Sequence, residues 1–141
     1  MVETIKKPKL IEFPKIGSSP LGYISVAEIA AVGFNINRVF WTYYTPEEII
    51  RGRHAHYELE QILIAASGKL VVGTECFDSD PETFELSSPN VGLYIPPYCW
   101  HDMQFSHSSV LLSLSSIEYR ESDYIRDYQQ FKKMKSDYGK K

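Results

Sequence analysis

Two histidines separated by one residue, His54 and His56, are the first sign of chemistry in this chain. Residues two apart in an extended strand point to the same face. The run Arg51-Gly-Arg-His-Ala-His56 therefore aims both imidazoles at one cavity. Glu60, four residues beyond His56, falls on the same side if the strand continues. A third histidine, His101, follows the chain-turning Pro96-Pro97 in Gly92-Leu-Tyr-Ile-Pro-Pro-Tyr-Cys-Trp-His101. An imidazole titrates near pH 6.5, so it can take and return a proton at neutral pH. His54, His56, Glu60 and His101 also make up a donor set for a divalent metal. Acid-base and metal chemistry both remain open on these residues alone.

Such residues need a rigid frame. The 141 residues suit one domain with a core of its own. A hydrophobic share of 43% and a charged share of 23% are those of a soluble globular chain. A net charge of -3 points neither to nucleic acid nor to a membrane surface. Lys132, Lys133 and Lys135 read as a solvated helix face. No apolar run approaches the roughly 18 residues of a membrane span. Met1 to Lys9 is charged, lacks an apolar signal core and reads as a flexible start. The expectation is a cytoplasmic protein with Cys76 and Cys99 as reduced thiols, a disulfide between them staying open. Ten tyrosines suit either sugar recognition or half-buried strands.

Short strands dominate the pattern. Leu10–Phe13, Gly22–Ala31 (a strand, or a strand and a bend), Arg38–Tyr44, Gln61–Ala66, Lys69–Glu75, Thr83–Leu86, Val91–Ile95, Met103–Phe105 and Val110–Ser115 read as strands. Gly17-Ser-Ser-Pro20 and Asp78-Ser-Asp-Pro81 mark turns. Ser67-Gly68 makes the two strands around it a hairpin candidate. One helix is predicted, at about 122–138, capped by Ser122 or Asp123 and carrying Tyr124, Ile125, Tyr128 and Phe131 at helical spacing. Trp41 and Trp100 are expected to pack in the core and His107 to lie in a loop.

Gly52, His54, His56, Glu60 and Gly68, followed by Gly92, Pro97 and His101, resemble the two cupin motifs. They imply an all-β fold, a jelly-roll barrel (double-stranded β-helix) over residues 10–141 with one C-terminal helix. The plainer alternative is a β-sandwich whose histidines are merely satisfied polar groups.

A narrower resemblance rests on three stretches. These are Arg51-Gly-Arg-His-Ala-His-Tyr-Glu-Leu-Glu-Gln61, Gly92-Leu-Tyr-Ile-Pro-Pro97 with Trp100-His-Asp-Met103, and Tyr119-Arg-Glu-Ser-Asp-Tyr-Ile-Arg-Asp-Tyr128. Together they are similar to the sugar nucleotide 3,4-ketoisomerases over roughly residues 10–135. The resemblance implies a dTDP-linked keto sugar as substrate, dTDP-4-keto-6-deoxyglucose, whose keto group moves from C4 to C3 with no metal or other cofactor. It implies a homodimer that exchanges N-terminal strands, and a place in making a 3-amino-3,6-dideoxy sugar for a surface glycan. His54 and His56 become the catalytic pair, His56 taking the C3 proton and His54 assisting, or the reverse. Arg38, Arg51 and Arg53 become candidates for the diphosphate, although each alone reads as a surface charge. Tyr43, Tyr94 or Tyr98 would stack on thymine, and Glu60 and His101 would complete the substrate pocket. Transfer on one ring face by a pair on one strand face implies the galacto product. The chain departs from the pattern at Arg53, where an aromatic is common, and at Leu21-Gly22, where Arg-Gly is common. A metal-dependent cupin enzyme and a sugar-binding cupin are the rival classes. A cupin epimerase is a third rival, with a His-Asp pairing that is not evident in this sequence.

Overall fold

The computed structural model describes residues 6–140. Among them the strands are β1 (Lys9–Glu12), β2 (Ile16–Ser18), β3 (Gly22–Ile24), β4 (Arg38–Thr42), β5 (Ile50–His56) and β6 (Gln61–Ser67). They continue with β7 (Leu70–Cys76), β8 (Glu82–Leu86), β9 (Val91–Ile95), β10 (Cys99–Phe105), β11 (Val110–Ser115) and β12 (Tyr124–Ile125). The helices are α1 (Ile29–Val32) and α2 (Tyr128–Gly139). Two five-stranded sheets face each other, ordered β1-β9-β6-β11-β4 and β12-β5-β10-β7-β8. This is the all-β jelly roll of the cupins with one long C-terminal helix.

Three apolar clusters explain the composition of the strands. The inner faces of the two sheets enclose Leu63, Leu70, Val72, Leu93, Phe105 and Leu111. The outer face of the first sheet is covered by Phe13, Val32 and Phe34 of the N-terminal segment, which pack on Ile62 and Ile64. The outer face of the second sheet carries Ala55 and Ile125 beneath Phe131 of α2. Strand β6 is therefore apolar at successive positions because both of its faces are buried.

Four expectations need correction. The hairpin candidate fails: β6 pairs with β9 and β11, whereas β7 pairs with β8 and β10. Gly68, at φ 74°, turns the chain from one sheet into the other, with Ser109 packed too close for a side chain. The helix predicted from 122 starts instead at Tyr128, capped by the Asp127 carboxylate on the Gln129 N–H. Tyr124 and Ile125 pair with His56 and Ala55 on the free edge of β5, and this extra strand displaces the first predicted turn. The segment Gly22–Ala31 holds β3 and the start of the short helix α1. Cys76 and Cys99 stand directly opposite each other on β7 and β10 and are joined as a disulfide, not left as reduced thiols.

The flexible start predicted for residues 1–9 lies partly outside the described residues. Within them, Pro8 is buried and Lys9 already belongs to β1. Trp41 is 61% exposed rather than packed in the core, whereas Trp100 packs on Tyr128 and Phe131 as expected. His107 lies in an exposed loop, as read. No helix among the described residues is long and apolar enough to cross a membrane.

Candidate active site

Antiparallel pairing of β5 and β10 sets His101 directly opposite His54. That register joins two motifs some fifty residues apart in sequence. The ring centroids of His54 and His56 are 5.0 Å apart, and those of His54 and His101 are 4.8 Å apart. All three rings line one cavity of about 280 Å³ between the sheets.

The strand carrying the pair is bulged. The register shifts between His101 and Asp102, so Arg53 has no cross-strand partner. Gly52 and Arg53 take φ of 84° and 60°, a left-handed step that costs a non-glycine residue free energy. A Cβ at Gly52 would sit 3.0 Å from the His101 carbonyl oxygen. The extra residue breaks the alternation, so Arg51 joins His54 in lining the cavity while Arg53 turns outward.

Hydrogen bonds set the tautomers. The Nδ1–H of His54 donates to the Gly52 carbonyl at 3.1 Å, and that of His101 to the Cys99 carbonyl at 3.0 Å. A carbonyl oxygen only accepts, so in each ring Nε2 carries the lone pair. The His101 Nε2 is already taken by an N–H from the Gln61 amide at 3.1 Å, and the Ser113 hydroxyl donates to the Gln61 carbonyl oxygen. His56 Nδ1 lies 3.1 Å from Asp123 Oδ2, with both side chains buried. Burial, His101 and then Arg126 hold the His54 pKa down at about 3. Burial followed by His101 and His54 holds His56 at about 2. Burial lowers His101 as well. The three rings are neutral imidazoles at pH 7.

The side of the cavity next to β5 comes from the segment after β11. Tyr124 brings its ring centroid to 4.4 Å from that of His56 and 5.0 Å from that of His54. The Arg126 guanidinium lies 4.0 Å from the Tyr124 ring centroid and forks onto both oxygens of Glu121. Arg38, on β4, also lines the cavity, and its Nε is buried without a hydrogen-bond partner. The cavity thus has three cationic side chains in its wall and two imidazoles, those of His54 and His56, whose Nε2 has no hydrogen-bond partner among the described residues.

This outline matches known proteins. The family model described as FdtA: WxcM-like, C-terminal, matches residues 6–136. The TDP-4-oxo-6-deoxy-alpha-D-glucose-3,4-oxoisomerase of Aneurinibacillus thermoaerophilus is 40% identical over 126 residues, which span 89% of this chain and 90% of that protein. The chain belongs to the sugar nucleotide 3,4-ketoisomerase family. A histidine-to-asparagine mutant of the 3,4-ketoisomerase QdtA of Thermoanaerobacterium thermosaccharolyticum, solved with TDP-4-keto-6-deoxyglucose, superposes with a TM-score of 0.88 at 32% identity. The match covers 95% of this chain and 97% of QdtA. The TDP-quinovose 3,4-ketoisomerase WlaRB of Campylobacter jejuni gives a TM-score of 0.84 at 35% identity, over 90% and 98% of the two chains. The family is one of isomerases.

In this ketoisomerase fold the predicted residues divide. His54, His56, His101, Arg38 and Arg51 share the cavity. Arg53 does not; it faces a groove beside Trp100, Asp102 and Tyr128. Glu60 also lies apart, bonded to the Tyr94 hydroxyl and to Lys6. Strand β5 ends at His56, so the alternation that placed Glu60 with the histidines stops short of it, and Gln61 takes the inward position. Tyr43 is exposed, Tyr94 packs in the outer cluster, and Tyr98 packs against Phe77. None of these three tyrosines lines the cavity; Phe40, Phe105 and Tyr124 do. The His-Asp pairing that sequence did not reveal is present, as His56 with Asp123.

The three histidines can each offer one ring nitrogen within 4.8 Å of the others. A four-donor metal site does not form from them. Glu60 is turned away, and Gln61 occupies the lone pair of His101.

Proposed function

We propose that the protein converts dTDP-4-keto-6-deoxyglucose to dTDP-3-keto-6-deoxygalactose, with His54 and His56 as its acid-base pair. The observation that carries this reading is the pair itself: two neutral rings on one wall, each with its lone-pair nitrogen unclaimed. One imidazole forms a bond to the C3 hydrogen, and the C–H electron pair becomes the C3–C4 double bond. The C4 carbonyl pair moves onto its oxygen, giving an enediolate. The C3 hydroxyl proton passes to the C4 oxygen. The proton then returns to C4 while C3 closes to a ketone. Nothing is oxidised or reduced overall, so no redox partner enters.

The remaining residues support the same reading. A cavity of about 280 Å³ suits the sugar ring and leaves the nucleotide at its mouth. Arg38 and the exposed Arg51 meet the diphosphate there, and the unpartnered Arg38 Nε–H is a donor awaiting a ligand oxygen. His101 positions the sugar through its fixed ring. Same-wall placement of His54 and His56 favours removal and return of the proton on one ring face, hence the galacto configuration.

The reading extends to assembly and setting. Among the described residues the β2–β3 hairpin pairs only with itself, and its tip residue Leu21 is 89% exposed. Trp41 and Val39 leave an apolar patch on the outside of β4. These features suit a homodimer with exchanged N-terminal strands, which light scattering after size exclusion would read as twice the 16.2 kDa chain mass. The setting is cytoplasmic synthesis of a 3-amino-3,6-dideoxy sugar for a surface glycan.

The test is the proton spectrum of the fresh product. A small H4–H5 coupling supports the galacto product. A large diaxial coupling refutes same-face transfer, and an epimerised 4-keto sugar refutes the isomerase reading.

A further inference from the structure

One face of the cavity has no part in the steps above. Gln61 on β6 and Ser113 and Ser115 on β11 belong to the sheet that faces the histidines. All three side chains are buried. They form one chain of hydrogen bonds with His101. The Ser113 hydroxyl donates to the Gln61 carbonyl oxygen at 3.3 Å, and the Ser115 and Ser113 hydroxyls are 3.3 Å apart. The Gln61 amide donates to His101 Nε2 at 3.1 Å, and the His101 Nδ1–H ends on the Cys99 carbonyl at 3.0 Å.

The direction of this chain is set at its Cys99 end. A carbonyl oxygen only accepts, so His101 Nε2 accepts as well, and the Gln61 nitrogen must face it. The Gln61 oxygen is thereby turned to Ser113. An amide nitrogen carries two hydrogens, and His101 takes one. The other has no acceptor among the described residues, although Gln61 is 4% exposed and lines the cavity. A buried N–H without a partner costs free energy until a ligand accepts it. The imidazoles cannot donate to a ketone in its place. His54 and His56 present bare Nε2 atoms, and the His101 Nε2 is covered. Charge arriving on a ketone oxygen needs a fixed donor, and Gln61 has one to spare.

We infer that Gln61 is a catalytic hydrogen-bond donor, its second amide N–H meeting the C4 carbonyl oxygen of the bound keto sugar. The inference rests on the ketoisomerase reading above. As the base takes the C3 hydrogen, the C–H electron pair forms the C3–C4 double bond. The C4 carbonyl pair moves onto its oxygen. That oxygen gains charge, and the amide hydrogen bond to it strengthens as the charge develops. No proton leaves Gln61. Ser113 holds the amide oxygen and Ser115 backs Ser113, so the donor is oriented before the substrate arrives.

Two measurements test this. The first uses Gln61→Met, which keeps the length of the side chain and removes both donors. In the folded variant kcat should fall by about 10²–10³-fold with KM within about threefold. A kcat within about threefold of wild type overturns the inference and leaves the isomerase reading intact. The second needs no change at Gln61. The His54→Asn/His56→Asn double variant, labelled with nitrogen-15 in its glutamines, is mixed with dTDP-4-keto-6-deoxyglucose or with dTDP alone. The Gln61 side-chain amide is assigned in the NMR spectrum by its proton contacts with His101 and Ser113. One of its two proton signals should move downfield with the keto sugar and stay in place with dTDP. If neither moves while the keto sugar is bound, the inference is overturned even where Gln61→Met is slow, because the residue is then only structural. A wild type that binds the keto sugar without isomerising it removes the isomerase reading, and the amide signals still decide the hydrogen bond. A wild type that does not bind it removes both.

Discussion

Two parts of the cavity lining, side by side in one sheet, differ in construction. One is a pair of regular strands, β5 and β10, whose register alone brings His54, His56 and His101 together. The other is an irregular segment, a 3₁₀ turn at Glu121–Asp123 and the two-residue strand β12, which delivers Tyr124, Arg126 and, from behind, Asp123. The strand wall carries the groups that move protons. The irregular wall adds the Arg126 cation and holds one of those groups, His56, through Asp123, whereas His54 and His101 are held by carbonyls of their own strands. A period-two pattern announces the first wall in sequence; only tertiary pairing reveals the second.

Breaking the strand wall should have the largest effect. His54→Asn and His56→Asn keep a side chain of similar shape but lose the basic nitrogen. Each is expected to cut kcat by about 10²–10⁴-fold with the circular dichroism spectrum unchanged. Near wild-type turnover in both would end the claim that this wall does the proton chemistry.

A milder way to disturb the same wall is the bulge. Gly52→Ala must hold φ near 84° and place a Cβ 3.0 Å from the His101 carbonyl oxygen. A loss of about 1–3 kcal/mol in urea unfolding is expected, together with reduced turnover, because the bulge sets both Arg51 and His54. Unchanged stability would show that the bulge relaxes freely.

The pH dependence of stability probes the burial of the wall. His54 and His56 have folded pKa values of about 3 and about 2, against about 6.5 in an unfolded chain. Between those values the unfolded state binds more protons, so stability falls as pH drops below about 6.5. Each ring contributes a loss on the order of 1–2 kcal/mol at pH 5. Thermal melts from pH 7 to 5 should show this decline, and a shallower one in His56→Asn. A flat profile in the wild type would mean that the rings are hydrated.

Exhaustive chelation should have the smallest effect, namely none on turnover. Glu60 is committed to Tyr94 and Lys6, and His101 to Gln61, so the donor set is incomplete. Loss of activity restored by one added metal would move the protein to the metal-dependent class.

Much of the strand wall was legible because a strand repeats every two residues and histidines are rare. The errors arose where that repeat is interrupted. Arg53 reads as a neighbour of His54, but the left-handed step at Gly52 and Arg53 sends it to the outer surface. Glu60 reads as a member of the set, but β5 ends before reaching it. The β6–β7 pair reads as a hairpin candidate because Ser67-Gly68 joins two strand-like segments; β6 is apolar because it is covered on two sides, and local sequence does not reveal its partners. Ser122 or Asp123 reads as a helix cap since Tyr124, Ile125, Tyr128 and Phe131 share a helical spacing. In the fold that spacing spans two elements, and the carboxylate serves His56. Residue type alone points to Tyr43, Tyr94 or Tyr98 as the thymine stack, and it does not show that Tyr98 turns toward Phe77.

The central claim is that the histidine pair moves a ketone between adjacent carbons. The most direct measurement follows dTDP-4-keto-6-deoxyglucose labelled with carbon-13 at C4 by carbon NMR, with the wild type and with the His54→Asn/His56→Asn double variant. The account predicts that the labelled carbonyl signal is replaced by a labelled hydroxymethine signal with the wild type, and persists with the double variant. A label that stays a carbonyl with the wild type, or moves equally fast with both proteins, would contradict it.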